Sequence, residues 1–560
     1  MRRPHKELLI VLAGNFAFWY RYRSFRGYFN AWSILTLLIA LVLIGPFIFL
    51  LITATGDNQG LWSHLMQTVA PRYALNTVVL MFGVGILSLI FGVTTAWIIA
   101  RFDFTFSRII EWALLLPATV PAYIIAYTYT DLLEYAGPIQ VFLRDIFGWT
   151  SSKEYWFPEI RSMGGAMFVM ASVLFPYIYI LARSAIRQTS NSYIEIAKIQ
   201  RPSAAISIDL ALARPAIVAG LALVLMEVLS DFGTVEFFAV ETLTLGIFNI
   251  WLGMNNLTAA AQIAGIAFIF ILALLMIETR ARNRQRFYDN SMKNDPVLPK
   301  PLSTGKSILC LSVCLMPIIF GFIIPVSILL NFVLRGLATS NMETLIGAAM
   351  NSISIALIVS AIVIVTASGM VITTTYKKQL ILSGLSNLSS LGYAFPGAIL
   401  AIGIVSFAGW VDGLVEFTQT NIFEQSFDGF LIGGTGLLIL ACVIRFQAIG
   451  HGAINAGVAR LSPNIFGASF LLGHSFTGTV FKLSPALLSK SMLAGGLLVF
   501  VDVMKELPMT ILLRPFNYET LATFVYQLAK DELLEESALA AIMIIFVGLG
   551  PVMILNKYQR

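Results

Sequence analysis

The sequence predicts an all-α polytopic membrane protein made of two parallel six-helix repeats, with about 12 transmembrane helices. Three observations carry that expectation. Apolar residues make up 58% of the 560 residues and charged ones only 12%, whereas soluble domains hold roughly 45–50% apolar and about 25% charged residues. Twelve runs approach the roughly 20 apolar residues that a spanning helix needs. Matching stretches recur in the two halves of the chain at one offset of 275 residues. The net charge of +6 is no sign of nucleic acid, because in such a chain the location of charges matters more than their sum.

The chain opens with a basic, partly apolar stretch, residues 1–30. It resembles a secretory signal, but its apolar run ends in Phe18-Trp19-Tyr20 and is followed by Arg21, Arg23 and Arg26, with no small-residue cleavage site. An uncleaved cytoplasmic segment, lying at the interface as a helix, is expected. The first repeat, 31–277, carries spans near 31–52, 74–100, 112–130, 164–182, 215–230 and 259–277. A polar, basic, proline-containing linker follows at 278–306. The second repeat, 307–560, carries spans near 307–334, 347–375, 385–410, 429–444, 491–506 and 537–556.

The repeat rests on three separated matches. Asn76-Thr77 answers Asn351-Ser352, Pro121 to Ile125 answers Pro396 to Leu400, and Glu227 and Asp231 answer Asp502 and Glu506. A little further on, Glu241-Thr242-Leu243 is echoed by Glu519-Thr520-Leu521. Six spans per half is an even number, so the repeats run parallel, about an axis along the membrane normal. With both termini cytoplasmic, the cytoplasmic segments hold 28 of the 36 Lys and Arg but only 8 of the 30 Asp and Glu, as the positive-inside rule requires.

Several chemistries are set aside. Thr304-Gly305-Lys306-Ser307 has the ending of a phosphate-binding loop, but that motif needs a glycine where Lys300 stands. Any ATP hydrolysis therefore belongs to a partner chain. His5, His64, His451 and His474 are scattered without metal-ligand spacing. Cys310, Cys314 and Cys442 lie in apolar runs, which suits packing better than a disulfide or metal site. No fixed metal site, no cofactor and no catalytic set is expected.

The acidic pairs are the anomaly. An ionisable side chain costs several kcal/mol at the bilayer centre, yet both halves place two carboxylates at the end of the fifth span. If that span leaves the cytoplasm near Pro215, Glu227 lies about 18 Å along it, in the outer half of the bilayer. Residues i and i+4 share a helix face, so Glu227 with Asp231 and Asp502 with Glu506 would bring four carboxylates around one axis. Hard cations prefer such oxygen ligands. The plainer alternative is that Asp502 or Glu506 pairs with Lys505 or Arg514, or caps a helix end. Tyr123, Tyr127, Tyr129, Tyr177 and Tyr179 suit interfacial or packing roles better than phenolate ligation of a metal.

Two cytoplasmic loops follow the fourth spans, 183–214 and 445–490. They resemble the coupling loops of permease subunits of binding-protein-dependent ABC transporters, which carry Glu-Ala-Ala, then Gly, then Leu-Pro. Here Glu195-Ile196-Ala197 stands for Glu-Ala-Ala, Arg201 for the glycine and Leu210-Ala211 for Leu-Pro. In the second loop Gly467-Ala468-Ser469 stands for Glu-Ala-Ala, Gly473 is kept, and Pro485 falls one residue from its place. The stretches 226–250 and 498–525 closely resemble the fused permeases of ferric-iron ABC importers, and that resemblance runs over nearly the whole chain. It implies an inner-membrane permease that forms a pore with two copies of an ABC ATPase. Fe³⁺ would come from a periplasmic binding protein, and the coupling helices would lie near 192–204 and 464–476. Fused permeases of this kind also move thiamine or phosphonates. An ion-coupled secondary transporter is the more distant alternative.

Overall fold

The computed structural model describes residues 30–189, 204–285, 297, 299–336, 341–377, 380–422, 429, 431–462 and 464–558. The expected N-terminal segment, most of the linker and the first coupling positions Glu195, Ile196, Ala197 and Arg201 lie outside the described residues.

Among the described residues ten helices are long and apolar enough to cross a membrane, or eleven if one bent pair counts as a single span. The first are α1 (Ala31–Ala54), α2 (Ala70–Arg101), α4 (Met163–Arg187) and α5 (Ala204–Ser230), with α3 (Ala122–Leu133), part of the bent pair, between α2 and α4. They continue with α6 (Leu257–Gln285), α7 (Thr304–Gly336), α8 (Met342–Lys377), α9 (Gly397–Ile422), α10 (Thr435–Ala459) and α11 (Phe476–Met504). A further helix of 25 residues, Leu534–Tyr558, covers the last expected span.

Two expectations are corrected. The third span of each half is not straight. The chain bends by 92° between Ser107–Thr119 and Ala122–Phe147, and in the second half a break separates Leu380–Leu388 from α9. Proline disfavours the helical region in the residue before it, and both breaks sit there. Val120, before Pro121, has φ −95° and ψ 118°, and Phe395, before Pro396, has φ −93° and ψ 133°. The fifth spans are also longer than expected: α5 starts eleven residues before Pro215. Its extra turns are rich in Ala and Leu, good helix formers. They also carry Asp209, whose carboxylate takes Arg101 Nε at 2.8 Å and Arg101 Nη2 at 2.5 Å in a buried pair.

The two halves interlock. α1 packs on α9 of the second half, where Thr53 Oγ1 donates to Ser406 Oγ at 2.8 Å and Phe47 meets Phe395 at 4.7 Å between ring centroids. Gly403 lets that contact close, because a Cβ there would run into the Pro46 carbonyl oxygen. α7 crosses the other way. Tyr129 Oη donates to the Phe320 carbonyl at 2.8 Å, and Gly321 sits against the Ser172 carbonyl. Small residues at such crossings are how helices associate in lipid, where apolar burial gives no driving force.

The sequence matches recur as matched bonds. Asn76 Nδ2 donates to the Glu241 carbonyl at 2.9 Å, and Asn351 Nδ2 donates to the Glu519 carbonyl at 2.9 Å. Beside them, Thr77 Oγ1 accepts from Leu243 N at 3.0 Å and Ser352 Oγ accepts from Leu521 N at 2.7 Å. In each half, one polar pair at the start of a long helix ties down the backbone that follows the acidic stretch.

Candidate functional site: an acidic cavity between the halves

A cavity of about 140 Å³ lies where the halves meet, and all four predicted carboxylates line it: Glu227, Asp231, Asp502 and Glu506. Its wall also shows the offset of 275 residues. Besides the carboxylates, Ala118 and Tyr393, Met170 and Arg445, and Ser230 and Lys505 are wall residues 275 positions apart. α5 and α11 stop beside it, and each chain then turns into a short helix, Gly233–Phe237 or Pro508–Leu513. Gly233 permits the close approach, since a Cβ there would lie 2.8 Å from Tyr123 Cβ and 2.9 Å from Leu507 Cδ2.

The carboxylates divide into two kinds. Asp231 accepts from Thr234 N at 3.0 Å, Val235 N at 3.1 Å and Thr234 Oγ1 at 2.8 Å. Glu506 repeats the pattern, accepting from Met509 N at 3.1 Å, Thr510 N at 2.9 Å and Thr510 Oγ1 at 2.7 Å. Each satisfies amide groups that the first turn of a short helix leaves without partners. For this pair the capping alternative describes what the oxygens do. Arg445 Nη1 adds a longer contact to Glu506 Oε1 at 3.7 Å.

Glu227 and Asp502 are held by side chains alone. Glu227 Oε1 accepts from Tyr393 Oη at 2.8 Å, a bond between the halves. Asp502 Oδ1 meets Lys505 Nζ at 2.8 Å. Among the described residues neither is tied to a backbone amide, so these two have oxygens to offer an entering group. Arg514, the other expected partner, pairs with Glu519 instead. Carboxylates outnumber cations four to two on the cavity wall. Among the described residues no group of three or more His, Cys, Asp and Glu is placed to hold a metal ion.

The tyrosines are packed inside rather than set in an interfacial belt. Tyr127 and Tyr179 are fully buried and Tyr129 nearly so. Tyr123 and Tyr177 line the cavity, and the Tyr123 hydroxyl has no hydrogen-bond partner among the described residues. Sequence reasoning missed Tyr393 and Arg445. Their counterparts at the repeat offset, Ala118 and Met170, are chemically unlike them, so comparing the halves does not flag them. Arg445 did leave a signal, a lone cation in the apolar run from Leu437, where an intramembrane charge marks a site.

At the other end of α11 lies the second of the two stretches expected to couple. Gly467, Ala468 and Ser469 sit on a helix, Ile465–Leu471. Gly473, at φ +87°, closes it: Gly473 N donates to the Phe470 carbonyl at 3.0 Å and His474 N to the Ser469 carbonyl at 3.1 Å. That left-handed helix ending favours glycine. Ser469 is anchored to Thr479 at 2.8 Å between hydroxyls, while Leu471 and Leu472 are 91% and 80% exposed.

The fold and the cavity define an all-α polytopic membrane protein with a polar chamber between its interlocked halves. The chain is 25% identical over 537 residues to the Fe(3+)-transport system permease protein FbpB 2 of Haemophilus influenzae, a match covering 94% of this chain and 98% of that protein. No family model matches the chain.

Proposed function

We propose that this chain is the transmembrane permease subunit of an ATP-binding-cassette importer in a bacterial inner membrane. It moves ferric iron delivered by a periplasmic binding protein, with both termini cytoplasmic and a separate ATPase, in two copies, supplying the energy. The observation that carries this reading is the cavity: each half contributes to one chamber a carboxylate whose oxygens are not spent on the backbone, Glu227 and Asp502. The near full-length similarity to a permease named for Fe(3+) transport supports the cargo. Oxygen donors suit a hard cation, and a carboxylate-rich cleft raises local cation concentration. A pathway must also release what it binds, which agrees with two available carboxylates rather than a closed cage.

The exposed leucines beside Gly473 suit a helix that docks in a groove of the ATPase. α11 starts three residues beyond that glycine and ends at the cavity, so one continuous helix would carry ATPase closure to the pathway. The matched bonds and wall residues support descent of the two repeats, 31–277 and 307–560, from one duplicated unit. No covalent step is asked of this chain.

The test is uptake of radiolabelled Fe³⁺, with thiamine alongside, in cells with and without the gene and with the double variant E227Q/D502N. Loss of Fe³⁺ uptake alone without the gene, and a marked fall in the double variant with ATPase assembly intact, is expected. Normal Fe³⁺ uptake without the gene would overturn the cargo. Normal uptake in the double variant would overturn the acidic pathway.

A further inference from the structure

We propose that the Lys505 ammonium is a tethered counter-cation, seated beside Asp502 in the unloaded cavity and displaced by the highly charged cation that the permease moves. This rests on reading the cavity as a cation pathway. Lys505 lies in the short break between α11 and the helix Pro508–Leu513, where the backbone leaves its helix. Its Nζ reaches Asp502 Oδ1 at 2.8 Å, and both residues line the cavity.

Three features separate this pair from a plain structural ion pair. Asp502 has no backbone bond to lose, whereas Asp231 and Glu506 are spent on caps. The pair is not walled off either: the Lys505 side chain is 28% exposed and belongs to the cavity wall. The ammonium is also one-sided. The residue 275 positions before Lys505 is Ser230, which lines the same cavity and carries no charge. The repeat thus supplies two equivalent places and fills one with a cation.

The chemistry follows from Coulomb's law, in which energy scales with the product of charges. The chamber's carboxylates need positive charge to offset them; Arg445 supplies it beside Glu506 and the Lys505 ammonium beside Asp502. A trivalent ion at Asp502 repels Lys505 three times as strongly as a monovalent ion at the same distance and is attracted three times as strongly by the carboxylates. Cargo and the Lys505–Asp502 bond therefore exclude each other, and a monovalent ion has little means to break that bond. The tether opposes leakage of common cations and admits a trivalent one. Because Lys505 follows the last turn of α11, ATPase-driven movement of that helix also shifts the ammonium relative to Glu227.

The experiment uses the full permease, assembled with its ATPase in proteoliposomes without ATP or binding protein. Passive entry of Mn²⁺ is read by quenching of a trapped dye. K505Q should leak about tenfold faster or more, the scale on which charged clefts alter ion flux, and K505R should stay near the parental rate. Parental leakage in an assembled K505Q would overturn the proposal. A second readout needs no variant. Acetylation of Lys505 by acetic anhydride, followed by mass spectrometry, should rise several-fold with Ga³⁺ supplied as its citrate complex and stay flat with Na⁺ citrate. Equal labelling under both conditions would also overturn it. If labelling responds to Ga³⁺ while cells lacking the gene take up Fe³⁺ normally, the iron reading fails and the counter-cation stands.

Discussion

The division of the four carboxylates makes a sharp prediction. Glu506 is 5% exposed, caps the helix Pro508–Leu513 through two amides and one hydroxyl, and faces the buried Arg445 guanidinium. Truncating a capping side chain costs about 0.5–2 kcal/mol. Leaving a buried charge without its partner costs about 3–5 kcal/mol. The two losses share one side chain and overlap, so Glu506→Ala should destabilise the protein by about 3–5 kcal/mol. Glu227→Gln keeps an oxygen for the Tyr393 hydroxyl and should stay within about 1 kcal/mol of the parent. Unfolding of both variants in detergent micelles, followed by denaturant titration, separates them. Removing the stranded cation as well, in E506A/R445M, should recover a large part of the loss, because residues in contact are not additive. Equal midpoints for E506A and E227Q would refute the distinction between capping and available carboxylates.

Two further outcomes are expected. Asn76→Ala and Asn351→Ala each lose one side chain to carbonyl bond of the same length, so each should lower stability by about 1 kcal/mol in the same titration; a large inequality would mean that the two bonds are not equivalent. Gly473→Val places a branched residue at φ +87° and should weaken ATPase docking, seen as reduced ATPase stimulation in reconstituted complexes, with G473A milder. Unchanged stimulation by G473V would remove this turn from the coupling apparatus.

Much of the fold was legible because lipid imposes a simple demand: long apolar runs must satisfy their own backbone bonds as helices. The offset of 275 residues was informative for a related reason. The pairs it singled out, Asn76 with Asn351 and Asp231 with Glu506, make matching bonds because side chains of like chemistry at corresponding backbone positions meet the same kind of backbone group. Less legible were the places where the halves differ. Tyr393 and Arg445 face the cavity opposite Ala118 and Met170, and no comparison of the halves brings out a residue present in only one. The proline breaks were visible as Pro121 and Pro396, yet a hydropathy window runs through them as one span.

The sequence by itself determined the class of molecule, the approximate place of most of its long helices and the four carboxylates that were to be looked for. Composition, run length and internal repetition are local properties, and a bilayer reads them locally. Only the tertiary structure decided that α1 and α7 cross to the opposite half, that the carboxylates of both halves share one cavity, and which oxygens remain available there. Those outcomes depend on residues hundreds of positions apart. A carboxylate at a helix break can cap the next helix, hold a lysine or meet an entering cation, and its use is settled by which donors the folded chain brings within about 3 Å.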